Sequence, residues 1–468
     1  MCRMTISKAC VGALFLALGL CSSTRLLGAS NKIAFVDVNV IPMDREIVVP
    51  HQTVIVGDGK IIAIGATQSV KIPDDAQRIN GNNRYLMPGL ADMHMHFIRP
   101  ATSGLFQASA SEHFAEENRV LALLYLANGV TTVRNLWGHP AILSLARDIE
   151  SGRVLGPHIY SVGPVTDGNP VQWPGSRAVD NAEQAQKAVL SDKQAGYIAI
   201  KVYDGLSKDA YQAIVGTARQ QQLPVVGHVP RAVGLAGALA ARQDSIEHIY
   251  YILPALQPNP AAKVASDGDL LKRADLRKLP ELVHAIKMAG SWYCPTLVAY
   301  ARTQRGPVWL QQQKLVPPAI VLRYQKGFAG WDEDPLDSLE ARPIYLKMIA
   351  ALHEAGVGLL LGTDAYKPSA LPGFSLHDEL ANFVAAGMTP YEALRAGTID
   401  AARFLHREEE FGTVAVGRRA DLLLLTANPL ADVRNAAKRV GVVVQGNWFP
   451  EGELENKRKQ LASPAPAN

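Results

Sequence analysis

A chain of 468 residues is long enough for a large core and more than one domain. Its hydrophobic fraction of 48% and charged fraction of 19% are ordinary for a globular protein. A formal net charge of +4 spread over this length, with no aromatic-interleaved basic patch, argues against a nucleic-acid binder or an electrostatic membrane binder.

In chain order, Arg3 and Lys8 precede an apolar run from Ala9 to Cys21, and small residues follow at Ser22, Ser23, Gly28, Ala29 and Ser30. This pattern predicts a signal peptide over residues 1–30, hence an exported protein, periplasmic or secreted, with no stable membrane insertion after leader removal. The competing reading is an uncleaved N-terminal anchor, for which the run is short. Leu20 before Cys21 disfavours lipid attachment. Cys2, Cys10 and Cys21 all fall in the leader, so Cys294 is left without a disulfide partner in the body.

From Ile33 to Arg84 short apolar runs alternate with tight turns, including Thr53 to Val56 facing Lys60 to Ile64 across Gly57-Asp58-Gly59. Similar runs return at Gly412 to Gly417, Ala420 to Leu425 and Val440 to Gln445. Neither piece can bury a core alone, so the expectation is one small β-sandwich domain built from 31–87 and 404–452. Between them, strand candidates at Leu86–His96, Val130–Asn135, His158–Val162, Tyr197–Tyr203, Pro224–Val229, Asp244–His248, Trp292–Leu297 and Val357–Asp364 alternate with helical segments. The fold class is therefore α/β, a (β/α)8 TIM-type barrel over 88–403. The alternative, a doubly wound sheet, lacks a glycine-rich loop after its first strand. The connections Leu253 to Pro280 and Ala301 to Pro343 have the length of lids or binding walls. Residues 453–468 form a tail whose last ten residues look disordered.

In a barrel the working groups sit at the C-terminal strand ends. On the first strand, alternation sends Asp92, His94 and His96 to one face. Two imidazoles so spaced can share one cation, although His-x-His alone is equally an ordinary polar strand end. Later strand ends add Lys201, His228, His248 and Asp364. Singly, His228 and His248 read as structural histidines, and Asp364 as a helix cap. An inward lysine is expensive to bury charged, so the sharper reading of Lys201 is a neutral amine carboxylated by carbon dioxide, its two carbamate oxygens bridging two cations. All six together favour a metal centre. Tyr203 shares the inner face with Lys201, where it polarises a carbonyl or simply packs. His139 lies in the loop after the second strand and meets a substrate carboxylate or solvent. His377, Asp378 and Glu379 read as an acidic helix start, and Asp92 as an internal hydrogen-bonding group.

The run Pro88-Gly-Leu-Ala-Asp-Met-His-Met-His, with Gly129-Val-Thr-Thr-Val-Arg, Gly227-His-Val, Ser245-Ile-Glu-His and Gly362-Thr-Asp-Ala, resembles the amidohydrolase superfamily. The likeness extends from Ile33 to about Pro450 and is nearest to the imidazolonepropionase-related group, with its Xaa-Pro dipeptidases, carboxypeptidase-like enzymes and ochratoxin-type amidases. It implies two divalent metal ions, usually zinc, with His94, His96 and Asp364 on one, His228 and His248 on the other, and carboxylated Lys201 between them. It also implies a metal-bridging hydroxide whose proton Asp364 takes and passes to the leaving nitrogen. Mononuclear deaminases of the superfamily carry a glutamate shortly after the strand-five histidine. Here Val229, Pro230 and Arg231 follow His228, which disfavours that branch. The expected activity is hydrolysis of an amide bond in a dipeptide or N-acyl amino acid. A cyclic amide or lactone is the alternative substrate, and a non-catalytic metal-holding binding protein is the alternative of another class. The expected partners are a small-molecule or dipeptide-like substrate and, as for many large barrels, further copies of the chain in a homo-oligomer.

Overall fold

The computed structural model describes residues 32–98, 111–259, 267–300, 307–318, 320–322, 340–365, 367 and 369–462. The expected leader over 1–30, most of the wall from Ala301 to Pro343 and the last six tail residues lie outside them. No helix among the described residues is long and apolar enough to cross a membrane.

The chain begins with β1 (Ile33–Val40), β2 (Val49–Gly57), β3 (Lys60–Ala66), β4 (Gln77–Asn80) and β5 (Tyr85–Pro88). Short parallel strands follow: β6 (Leu90–Met95), β7 (Val130–Asn135), β8 (His158–Ser161), β9 (Val165–Asp167), β10 (Arg177–Ala178), β11 (Ile200–Val202), β12 (Val225–Gly227), β13 (Ser245–Glu247) and β14 (Trp292–Cys294). The chain then closes with β15 (Leu422–Leu425), β16 (Arg439–Val444) and β17 (Asn447–Pro450).

Both ends of the chain meet in one eight-stranded sheet of order β17-β16-β15-β5-β1-β2-β3, with β4 beside β1. The joint is the antiparallel register of Leu422 to Leu425 on Pro88 to Tyr85. Phe35, Val54, Val56, Leu86, Leu422, Leu424 and Val443 form its buried face. The expected pairing of the two pieces is seen, but as one shared sheet rather than two facing sheets. The reason is local: β5 has β1 on one edge and β15 on the other, so the pieces join in the plane.

The parallel strands form two ladders, β6-β7-β8 and β10-β9-β11-β12-β13-β14. Backbone hydrogen bonds join them where Ile198 N donates to Ser161 O and Gly163 N to Ala199 O. On the other side, Leu360 N donates to Tyr293 O and Met93 N to Leu361 O. A single closed eight-stranded ladder is not found among the described residues. The eighth strand expected at Val357–Asp364 makes only isolated bridges, at Leu359 and Ala365. Gly362 shows why this segment must be thin: a Cβ there would lie 2.5 Å from Cys294 Sγ and 2.7 Å from His94 N.

Amphipathic helices cover the strands. Lys208–Gln220 is typical, capped by the Ser207 side chain on Ala210 N and burying Ala210, Tyr211, Ile214, Val215 and Ala218. The expected wall from Leu253 to Pro280 begins inside a 3-10 helix, Ile249–Leu256, whose Leu253 and Leu256 are buried core. At the far end, Glu451–Ala462 is helical where a tail was expected. Its i,i+4 pairs, Glu453 with Lys457 and Glu455 with Lys459, support the helix, and Leu454 anchors it in the core.

One buried ionic cluster ties the parallel strands to the terminal sheet. His158 Nδ1 lies 2.6 Å from Glu150 Oε1, and its Nε2 lies 3.3 Å from Asp421 Oδ2, which also takes the Arg419 Nε bond at 2.5 Å. Burial works against the imidazolium, but Asp421 and Glu150 push its pKa up to about 9. Because this lies above the ordinary 6.5, the stabilisation is fully present below that pH and disappears as the pH rises through about 9. The stability difference between wild type and His158→Gln is therefore expected to shrink by roughly 2–3 kcal/mol between about pH 6 and about pH 10, measured by urea unfolding. A pH-independent difference would contradict this account.

Candidate metal centre

Strand ends bring the expected residues together from across the chain. His96 Nε2 is 2.9 Å from Asp364 Oδ1 and His94 Nε2 is 3.4 Å from the same oxygen. The three side chains offer ligand atoms within 4.8 Å of one another. His248 Nδ1 lies 3.9 Å from Asp364 Oδ2, and the His94 and His248 rings are 4.7 Å apart. His228 joins through its Nε2, 3.1 Å from His248 Nε2.

The backbone bends sharply to make this possible. Asp364, His248 and Thr296 have φ of 52°, 70° and 50°, in the left-handed region that residues with a Cβ seldom occupy. Hydrogen bonds hold each bend. Asp364 N donates to His94 O, and Asp92 accepts from Thr363 N at 3.1 Å and Thr363 Oγ1 at 2.6 Å. Asp92 is thus the internal hydrogen-bonding group expected, and burial pushes its pKa up to about 7. Gly227, at φ 127°, lets His228 turn inward: a Cβ there would lie 2.4 Å from Val202 O and 2.8 Å from Lys201 Cδ.

Lys201 is 1% exposed, and its Nζ has no hydrogen-bond partner. Burial pushes its amine down to about 8. Burial, then the Lys201 charge, lowers His94 to about 4, and burial holds His228 and His248 well below the usual imidazole range. Burial disfavours an ionised Asp364, but His248, His96 and His94 more than offset it and keep the carboxylate charged. The cluster therefore presents neutral imidazoles, an anionic carboxylate and a weakly basic amine. Neutral imidazole and carboxylate are the ligating forms.

Outer contacts fix which ring nitrogens face inward. His94 Nδ1 donates to Glu247 Oε2 at 2.8 Å, leaving Nε2 buried with no hydrogen-bond partner. His228 Nδ1 is 2.8 Å from Asp204 Oδ1, and the Tyr251 hydroxyl touches both groups. His248 Nδ1 is 2.8 Å from Thr296 Oγ1. With each Nδ1 engaged, the Nε2 atoms of His228 and His248 face each other, an arrangement that a nearby cation would relieve. This donor set fits divalent metal ions of the zinc type.

Two residues that matter here carried no assigned role in the sequence reading. Glu247, fully buried, accepts from Arg134 Nη2 at 2.9 and 3.1 Å and from Ser245 Oγ at 2.5 Å. Arg134, equally buried, also donates through Nε to Met93 O at 2.6 Å and through Nη1 to Ser245 Oγ at 3.1 Å. Despite burial, Arg134 and His94 hold the Glu247 carboxyl well below its usual range. The available signal was a charged residue inside each of two otherwise uncharged strand segments, Val130–Asn135 and Ser245–Glu247.

The Tyr203 ring lies tilted by 31° against His228 with ring centres 3.9 Å apart, and its oxygen accepts from Trp173 Nε1 at 2.5 Å. His139 is the N-cap of helix Pro140–Glu150, its Nδ1 accepting from Ala141 N at 3.2 Å. His377 bonds the Asn128 carbonyl away from the cluster. Glu379 accepts from Leu297 N and Val298 N, both at 2.7 Å, and steadies the loop that carries Thr296.

Residues 85–449 match the amidohydrolase family. Ochratoxinase of Aspergillus niger is 26% identical over 402 residues, covering 75% of this chain and 72% of its own. Among solved structures, bottromycin amidohydrolase superposes with a TM-score of 0.70 at 26% identity, over 92% of this chain and 91% of its own. A Xaa-Pro dipeptidase with methionine bound in its active site shares the fold at 22% identity, with a TM-score of 0.65 over 90% of this chain and 100% of that one.

Glu247→Gln would leave Arg134 buried without its counter-ion, so a loss of about 3–5 kcal/mol is expected in chemical denaturation. A loss below about 1 kcal/mol would show that the pair does not hold the centre together.

Proposed function

The chain belongs to the amidohydrolase family, with its TIM-barrel-like α/β fold, and from that premise we propose that it is a binuclear metal-dependent hydrolase that cleaves an amide bond in a dipeptide or N-acyl amino acid. One observation carries this reading: five ligand-type side chains, His94, His96, His228, His248 and Asp364, surround a centre in which the buried Lys201 amine has no hydrogen-bond partner. The similarity to an amidohydrolase at 26% identity supports the amide as the bond attacked. We assign the catalytic barrel to 88–403 and the terminal β-domain to 31–87 with 404–452. Export remains a proposal resting on the leader pattern in 1–30.

In this reading His94, His96 and Asp364 would hold one metal ion and His228 and His248 the other, with the Lys201 amine, once carboxylated, as a further ligand. A neutral amine is what reacts with carbon dioxide, and an amine pushed down to about 8 is substantially neutral near that pH. Bound ions would make water acidic enough to attack at neutral pH and would polarise the amide carbonyl. The remaining work falls to the protein. Asp364, held ionised by its histidine neighbours, accepts the proton of the attacking water and delivers it to the departing nitrogen. The Tyr203 oxygen accepts from Trp173, so its own proton is available to the substrate carbonyl oxygen. The His139 cap fixes the tautomer that carries its proton on Nε2, a donor suited to a substrate carboxylate.

Asp364→Asn should lower turnover on a responsive dipeptide or N-acyl amino acid by roughly 10²–10⁴-fold while keeping bound metal, as read by assay and elemental analysis of the same sample. Wild-type protein that is metal-loaded yet inactive on amide, ester and lactone panels would favour a binding protein. Lys201→Met should lose about half the bound metal and most of the activity, with partial rescue by millimolar acetate as a replacement carboxylate bridge. Retention of two metal ions per chain in that variant would remove Lys201 from the centre.

A further inference from the structure

The opposite end of the parallel strands holds a second cavity, of about 300 Å³, used by neither the metal centre nor the reaction. It opens among Tyr197, Ile198 and Ala199 leading into β11 and Leu223, Pro224 and Val226 at the start of β12, whereas His228 follows the other end of that strand. Four rings line it, those of Tyr160, Tyr197, Phe404 and His406. Two cationic side chains stand at its exposed rim, Lys193 and Arg407, and no aspartate or glutamate is among its lining residues. Its inner end is the buried Arg134 guanidinium, 4.8 Å from the centre of the Phe404 ring.

Charge is distributed unevenly here. Glu247 neutralises Arg134 and Glu410 pairs with Arg407 at 2.6 Å, whereas Lys193 makes no ion pair among the described residues. The rim therefore retains positive charge above a cavity lined by Tyr160, Tyr197 and Phe404. Flat aromatic faces favour a stacked ring, and a cationic rim favours a carboxylate attached to it. The volume is at the lower end of small-molecule sites, enough for one or two rings.

We propose that this cavity is a second binding site, for a small aromatic monocarboxylate whose ring lies against Tyr197 and Phe404 and whose carboxylate meets Lys193 and Arg407. The proposal is independent of the amide-hydrolase reading. An occupant would sit one side chain, Arg134, away from the Glu247–His94 pair.

Calorimetric titration of the full chain with 2-naphthoate, and with 2-naphthamide as its neutral counterpart, tests this. The expected result is saturable one-to-one binding of the acid and at least about tenfold weaker binding of the amide. The double variant Lys193→Gln/Arg407→Gln, altered only at exposed side chains, should weaken the acid by about tenfold with an unchanged circular dichroism spectrum. His228→Ala at the metal centre should leave the affinity within about twofold. Equal binding of acid and amide, or no saturable binding up to about 5 mM, would overturn the proposal. So would loss of binding in His228→Ala with retention in the double variant, since the acid would then sit at the metal centre.

Discussion

The interior of this protein is organised by the cost of burying charge. Arg134, a neutral His94 and Lys201 converge on a region whose Glu247 is already committed to Arg134 and His94. The other carboxylate of the centre, Asp364, is engaged by the histidines. Lys201 is left without a close counter-ion, and a charged ammonium there is costly. The arrangement therefore favours the neutral amine, the form able to take up carbon dioxide. Carbamate formation would turn that neutral amine into an anion, whose charge divalent ions would balance. Reactivity and charge balance are here the same problem.

Position is controlled just as tightly. Asp364, His248 and Thr296 occupy backbone conformations that are unfavourable for residues with a Cβ, His248 and Thr296 just past β13 and β14 and Asp364 beside the isolated bridge at Ala365. Such conformations persist where surrounding contacts over-determine them. Here those contacts are Asp92 on Thr363, Glu379 on the 297–298 backbone, and Tyr251 between His228 and Asp204. The ligand-type groups sit on a rigid frame whose own polar groups are buried and bonded.

Much of this was legible in the sequence because period-two alternation is a strong signal. His94 and His96 had to share a face, and Lys201, His228, His248 and Asp364 each stood where an apolar strand stops. Arg134 and Glu247 were overlooked because their meaning lies in pairing across strands more than a hundred residues apart, which no local pattern encodes. The eighth strand was drawn too regular: Gly362 and the turn at Asp364 trade ladder hydrogen bonds for close approach to β6. The tail was read from its Pro and Ala ending, although Leu454 and the charge pairs before it make a helix. The sequence leaves Tyr203 and His139 each between two meanings, and the Trp173 and Ala141 contacts orient their polar atoms.

The ladder of Leu422 to Leu425 on Tyr85 to Pro88 has a consequence for how the molecule is made. β5 leads almost directly into the strand bearing His94 and His96, yet one of its edges stays bare until β15 emerges from the ribosome, after nearly the whole chain. During that interval the early strands expose unpaired amides and carbonyls, a template for wrong partners, and closing so long a loop is slow. Newly synthesised chains thus depend on the emergence of β15 before the strand bearing His94 and His96 is locked in place, which makes truncation ahead of Leu422 a route to aggregation.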